Sequence, residues 1–327
     1  MDHELKKRCE IFIENKNALK AAYKLDYPIM HCLCALIYGK KTVDVAKIKE
    51  SKQIIKQNTA AFSSFKANAF LAMATMLSLE DDPETIFKKI IELYTLLKKK
   101  GFWGSDYLAL TAFTAVKNGS DFDALADKAI KIYKHLKQNH PFLTSHADYC
   151  YAMLMALSNK EGQDMVREAE ECYNILENSF IVKNAVQSLS FVLSLGKQNA
   201  QEKCNITLDL FDTLKQKGYK PGTGYELPSI GVLTLVSDNT DNIAGKVEET
   251  SDFLKVQKGF RGISIGKTKR IMFASSLVAQ EKVSLFENDV LNAAVSNTIS
   301  NIIIAMEIAV IAAISASSAA AAASSGN

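Results

Sequence analysis

The chain has 327 residues, with 39 Lys and Arg against 36 Asp and Glu, for a formal net charge of +3. That length allows a large core, and so mild a charge argues against both a dedicated nucleic-acid binder and an acidic disordered tail. Only five prolines occur, and no Pro/Gly/Ser-rich run divides the sequence into linked pieces.

The first residues, Met1-Asp2-His3-Glu4-Leu5-Lys6-Lys7, contain no apolar signal core. The six cysteines at 9, 32, 34, 150, 172 and 204 lie scattered through helical stretches without paired spacing. In a reducing compartment they pack as small apolar residues, so the cytoplasm is the expected location.

Residues 4–23 are predicted to form a helix with Leu5, Cys9, Phe12 and Ile13 inward. Residues 28–39 and 43–57 look like a degenerate first helix pair. The clearest unit runs from Phe65 to Phe102: an apolar helix, an acidic break at Glu80-Asp81-Asp82-Pro83, an amphipathic helix and a Gly-Phe stop. In the second helix Ile86, Ile90, Leu93, Tyr94 and Leu97 fall on one stripe, which is the mark of a half-buried helix. Asp82 is placed to cap it, and Pro83 loses only an N–H that would be unpaired at the first turn. Gly101 supplies the left-handed stop, and Phe102 can fold back on the last turn.

That unit recurs. Tyr94, Tyr133, Tyr173 and Phe211 are spaced by 39, 40 and 38 residues, and Phe253 continues the series with a slip. Leu97, Leu136, Leu176 and Leu214 follow three residues later on the same helical face. Closing aromatics keep step at Phe102, Phe142, Phe180, Tyr219 and Phe260. The units run roughly over 66–102, 103–142, 143–180, 181–219 and 220–260. A period near forty suits two helices per unit, each pair covering the apolar face that its neighbour cannot bury alone. End pairs are expected to be atypical, with one face lacking a neighbour. Ser158-Asn159-Lys160-Glu161 and Thr223-Gly224-Tyr225-Glu226 have the pattern of capping boxes, and Asn199-Ala200-Gln201-Glu202 is a weaker version. Residues 268–283 supply one more helix.

From Val290 the composition shifts to an apolar run, Ile299 to Ala316, that passes into alanine and serine. Eighteen residues is the lower limit for a spanning helix. Glu307 in its middle would cost about 2.5–3.5 kcal/mol if priced like a central Asp, and no Lys or Arg follows Lys282 to orient it. The expectation is a helix closing the array, with an Ala/Ser end. The domains are therefore read as 1–285, helical repeat, and 286–327, apolar helix and tail.

Residues with potential chemistry have simpler readings. Gly262-Ile263-Ser264-Ile265-Gly266-Lys267-Thr268 is one residue short of a phosphate-binding loop and has no strand feeding it. The acids at 80, 81, 82 and 84, like those at 121 and 123, sit where a helix dipole favours them. His31 and Cys34 share a helical face, but two ligands do not make a zinc site. His135, His140 and His146 straddle a helix end. Lys98 to Lys100, Lys134, Lys137, Lys215, Lys217, Lys255 and Lys258 cluster at second-helix ends, where dipole complementation explains them. No catalytic, cofactor-binding or metal-binding residue is assigned, and no cofactor is expected.

Asn58 to Lys66, Asn139 to Tyr149, Lys183 to Ser190, the Lys217-Gly218-Tyr219 stop and the Ala/Ser tail resemble a bacterial family known as domain of unknown function 4003. The resemblance covers nearly the whole chain and implies a single full-length domain; it implies no active site. The fold expected is all-α, an α-solenoid of antiparallel helix pairs with a helical tail, the alternative being a closed double ring of helices. The expected function is a protein- or peptide-binding scaffold rather than an enzyme. The alternatives are a membrane-peripheral or membrane-anchored protein acting through 290–327 and an enzyme with a pocket inside a helical ring. Nucleic acid is not an expected partner.

Overall fold

A computed structural model describes residues 1–287 apart from 68, 119–120, 159, 237–238 and 263–264. The C-terminal apolar run and tail, 288–327, lie outside the described residues. Those described form fourteen α-helices and no strand. They are α1 (His3–Ala22), α2 (Pro28–Tyr38), α3 (Val45–Gln57), α4 (Phe70–Leu77), α5 (Pro83–Lys100), α6 (Asp106–Asn118) and α7 (Phe122–Asn139), followed by α8 (Tyr149–Leu157), α9 (Gly162–Leu176), α10 (Lys183–Ser194), α11 (Ala200–Gln216), α12 (Pro228–Val236), α13 (Thr240–Val256) and α14 (Lys267–Glu287). None of them is long and apolar enough to cross a membrane.

Odd- and even-numbered helices differ in how the sequence makes them. The odd helices are amphipathic, and most are capped by a short polar side chain. Asp2, Asp44, Asp82, Asp121, Asn199 and Asn239 each accept a backbone N–H from the first turn of α1, α3, α5, α7, α11 and α13. The α5 stop is as read from sequence: Gly101 has φ 113°, its N–H donates to the Lys98 carbonyl, and Phe102 N–H reaches back to the Leu97 carbonyl. The Lys217-Gly218-Tyr219 stop repeats both bonds, to Lys215 and Leu214.

The even helices are apolar all round, the composition of helices with no solvent face. Residues 29–36, 71–77, 108–115, 149–156 and 270–279 are buried without interruption. Several of their hydroxyls are satisfied within the helix: Thr75, Thr111, Ser190 and Thr234 each donate to the carbonyl four residues back, at 2.8–3.1 Å.

The described residues fall into two compact units, Val43–Gly162 and a second joining Met1–Thr42 to Gln163 and the helices that follow it. In the unit from Val43 to Gly162, α3, α5 and α7 pack in series, as do α4, α6 and α8. Phe65 meets Tyr94 with ring centroids 5.0 Å apart, and the closing aromatic Phe102 meets Tyr133, the register aromatic of the next pair, at 5.9 Å. In the other unit α10, α12, α14 and α2 pack in series, and α11, α13 and α1 likewise. Phe180 meets Phe211 at 5.0 Å.

The N-terminal pair is not an uncovered end. Helix α1 lies on α13 and α14, with Phe12 centred 6.0 Å from both Phe260 and Phe273. Lys246 bridges Asp2 at 2.8 Å and Glu281 at 3.2 Å, and the N-terminal ammonium pairs with Glu249. Lys16 donates to the Lys258 carbonyl at 2.7 Å.

Two details depart from the sequence reading. The patterns at Ser158 and Thr223 are not capping boxes. Ser158 ends α8, its Oγ accepting from Lys160 N–H at 3.0 Å, and α9 begins only at Gly162; Asn159 lies outside the described residues. Thr223 belongs to a turn five residues before α12. The closing aromatic Phe142 is 97% exposed. Helix α7 ends at His140 with no glycine to reverse the chain, and Pro141 opens a longer turn in which Leu143 and Thr144 both donate to the His140 carbonyl. Lys137 holds this turn through the Pro141 and Thr144 carbonyls, which throws Phe142 outward.

Candidate functional site

The residues singled out for chemistry are spoken for structurally. His31 Nε2 lies 2.8 Å from the Tyr23 carbonyl, and Cys32 and Cys34 are buried beside it. Of the acidic break, Asp82 caps α5. His140 is the C-cap of α7, while His146 stacks on Tyr149 at 5.2 Å; burial lowers its basicity, and Lys137 adds to that. No group of three or more His, Cys, Asp or Glu side chains is placed to hold a metal among the described residues. Ile263 and Ser264 of the glycine-rich stretch lie outside them.

Part of the lysine cluster serves to join neighbouring odd helices. Lys100, at the end of α5, lies 3.0 Å from Asp123 and 2.9 Å from Asp127 of α7. Lys217, past α11, lies 2.6 Å from Glu248 of α13. Both ammonium groups are held above their usual range, chiefly by hydrogen bonds to those carboxylates.

Asp148 carries the most perturbed carboxyl. It is 5% exposed at the start of α8, and burial pushes it up from 3.8 to about 7. Its Oδ2 accepts the Ser145 N–H at 2.8 Å while Ser145 Oγ accepts the Ala147 N–H, so it closes a capping box. Around it Tyr149 packs against Phe102 and Tyr133, both 4.8 Å between centroids, and its hydroxyl accepts the Trp103 N–H at 3.0 Å.

A cleft of about 670 Å³ lies beside the end of α11. Three chain segments build it. The turn after α9 contributes Ser179, Phe180 and Ile181; the last turns of α11 and the loop beyond it contribute Phe211, Lys215 and residues 218–224 with Glu226; α14 contributes Thr268. Phe180 packs edge-on against Phe211 as the floor. Tyr219 is fixed by donating to Asp252 Oδ2 at 3.0 Å, and burial, aided by that carboxylate, pushes its phenol up to about 12. Gly222 is required by space: a Cβ there would lie 2.6 Å from Glu226 Oε2 and from Thr268 Cγ2. Lys215 and Lys220 are exposed at the rim. The lining thus offers two cations, one carboxylate, two threonine hydroxyls and an aromatic floor.

A second surface feature was not foreseen. Among the described residues, the large exposed apolar side chains are Leu25, Tyr27, Phe62, Trp103, Phe142, Ile181, Val182 and Val256. Every one ends an odd-numbered helix or lies in the loop that follows it. Phe62, Trp103, Phe142 and Ile181 are 41, 39 and 39 residues apart, the same period as the buried register. That spacing was available in the sequence. It was hidden because Phe102 and Phe180, one residue earlier, are the buried members of each turn.

The described helices define an all-helical protein. The chain belongs to the family described as "Protein of unknown function (DUF4003)", which matches residues 15–309. It is similar to "Uncharacterized protein YeaA" of Bacillus subtilis (strain 168), 23% identical over 235 residues, which covers 70% of this chain and 71% of that protein. No solved structure matches it. Of the stretches that carry the resemblance, Asn58–Lys66, Asn139–Tyr149 and Lys217–Tyr219 fall in loops after α3, α7 and α11, and Lys183–Ser190 opens α10.

Proposed function

We propose that the chain is a binding scaffold of the α-solenoid kind that takes an extended peptide in the cleft beside α11. The observation that carries this reading is the cleft itself. Its volume, about 670 Å³, is within the range of sites that hold a small ligand or a few residues of peptide. The groove expected of an open helical array is not where binding takes place in this reading, because the stretches 29–36, 71–77, 108–115, 149–156 and 270–279 of the even helices are buried on every side. The loop 218–224 instead supplies backbone groups that an extended chain can pair with. Lys215 and Lys220 favour an acidic residue, and Ile181, 93% exposed over the aromatic floor, favours an apolar one beside it.

The test is fluorescence polarisation of the full chain against an arrayed set of short acidic peptides carrying aliphatic or aromatic neighbours. Saturable binding that Lys215→Glu with Lys220→Glu weakens at least about tenfold supports the reading; the pair of reversals removes about 1.4 kcal/mol or more of attraction in that case. Because both lysines are exposed, the variant keeps its fold. Binding indifferent to the reversal, or none, overturns it.

A further inference from the structure

We propose that the edge formed by the loops after α3, α5 and α7, in the unit from Val43 to Gly162, is a docking surface for a lipid bilayer with anionic headgroups. Single exposed apolar side chains are ordinary on a protein surface. Their distribution here is not. Loops that lead from an even helix into the next odd one, such as 39–44, 78–82 and 195–199, carry none of the large exposed apolar residues. Those loops hold instead the acids and amides that cap the odd helices, Asp44, Asp82 and Asn199 among them.

The unit from Val43 to Gly162 shows the arrangement most plainly. Helices α3, α5 and α7 pack in series, and the loops after them are neighbours: the Tyr94 hydroxyl donates to Ser64 Oγ at 3.3 Å, Gly104 lies against that same hydroxyl, and Trp103 N–H donates to the hydroxyl of Tyr149, just past the third loop, at 3.0 Å. Their tips are Phe62, 103% exposed, Trp103, 70%, and Phe142, 97%. Packed helices lie about 8–10 Å apart, so these tips stand separately and form no single groove. A rigid protein partner would need a matching pit for each. A bilayer accepts separate tips at one depth, and Trp and Phe favour its interface.

The charges at this end choose the lipid. Lys56 and Lys137 stand in the last turns of α3 and α7, and Lys98 and Lys99 in that of α5, with no acid in any of those turns, while Lys100 is already paired with Asp123 and Asp127. Lys99 and Lys134 are exposed. Such flanking cations attract anionic headgroups, and salt screens that attraction. In the other unit, taken by itself, Leu25 is exposed in the loop after α1 and Val256 at the end of α13. This surface is additional to the cleft.

The chain holds a single tryptophan, and it is Trp103. Its emission therefore reports the proposed contact directly. The full chain is titrated with vesicles of phosphatidylcholine and phosphatidylglycerol in equal parts, and with phosphatidylcholine alone. The expected result is a blue shift of Trp103 emission and protection from acrylamide with the anionic vesicles, both reversed by high salt. Phe62→Ser with Phe142→Ser, exposed positions whose replacement leaves the helical melt unchanged, is expected to weaken vesicle affinity about tenfold or more. Sedimentation with vesicles while Trp103 emission stays unshifted would place the contact elsewhere and overturn the proposal. So would a shift that the double variant retains, or one evoked by membrane-free protein extract and not by vesicles, which would make the edge a protein interface. An absence of any shift overturns it as well.

Discussion

The odd and even helices of this chain bury apolar surface by opposite means. Helix α7 alternates: Leu125, Ala129, Ile132 and Leu136 are buried while Lys131, Lys134 and Lys137 face outward. Helix α8 does not alternate, and Tyr149 to Ala156 are all buried. The difference teaches where specificity resides. An amphipathic helix fixes its own orientation through its stripe and its cap, whereas a helix that is apolar all round is oriented by what surrounds it. In α8 the orienting contacts come from one end, where Tyr149 is held by Phe102, Tyr133 and the Trp103 N–H, and Asp148 closes the capping box.

The comparison breaks if the stripe of the odd helices does not carry their packing. Leu136→Ala on α7 is expected to cost about 2–5 kcal/mol, as large-to-small changes in a packed site do. Lys134→Ala, two residues away on the exposed side, should stay within about 0.5 kcal/mol. Urea midpoints of the two variants check this, and equal effects would show that the stripe has been assigned to the wrong face.

A smaller effect sharpens the account of the even helices. Burial raises the Asp148 carboxyl from 3.8 to about 7, so the folded chain keeps a proton that the unfolded chain has lost. The contribution to stability is fully present below the unfolded value, falls as pH rises from about 4 to 7, and is absent above the folded value. Asp148→Asn removes this dependence. The stability of the wild type relative to the variant is therefore expected to decline across that window and to level off above it. Denaturant midpoints of both proteins at pH 5, 6, 7 and 8, taken as differences, test the sign; a rising difference would mean that the carboxylate is favoured in the folded state.

Much of the odd-helix layer was legible in the sequence, for a physical reason. Stripe, cap and stop are local features, so Asp82, Pro83, Leu97 and Gly101 could be placed from spacing alone. The edges of even helices were harder. Ser158 and Thr223 have the residue types of a cap, but each serves a turn whose course depends on its neighbours. Phe142 has the spacing of a closing aromatic, yet without a glycine at the α7 stop the chain does not bring it back. The contact of α1 with α13 and α14 was illegible because it joins residues more than two hundred positions apart. The cleft was illegible for the same reason: Ile181, Tyr219 and Thr268 meet only once three pairs have packed.

The contrast between the two kinds of helix is tested most directly by amide hydrogen exchange of the full chain, read by mass spectrometry. Buried helices open only with the whole fold, whereas loops exchange by local motion. Peptides covering 71–77, 149–156 and 227–234 are expected to be the slowest in the molecule, the odd helices intermediate, and the loops 58–63, 141–145 and 219–224 fast. Even helices that exchange as quickly as those loops would contradict the account.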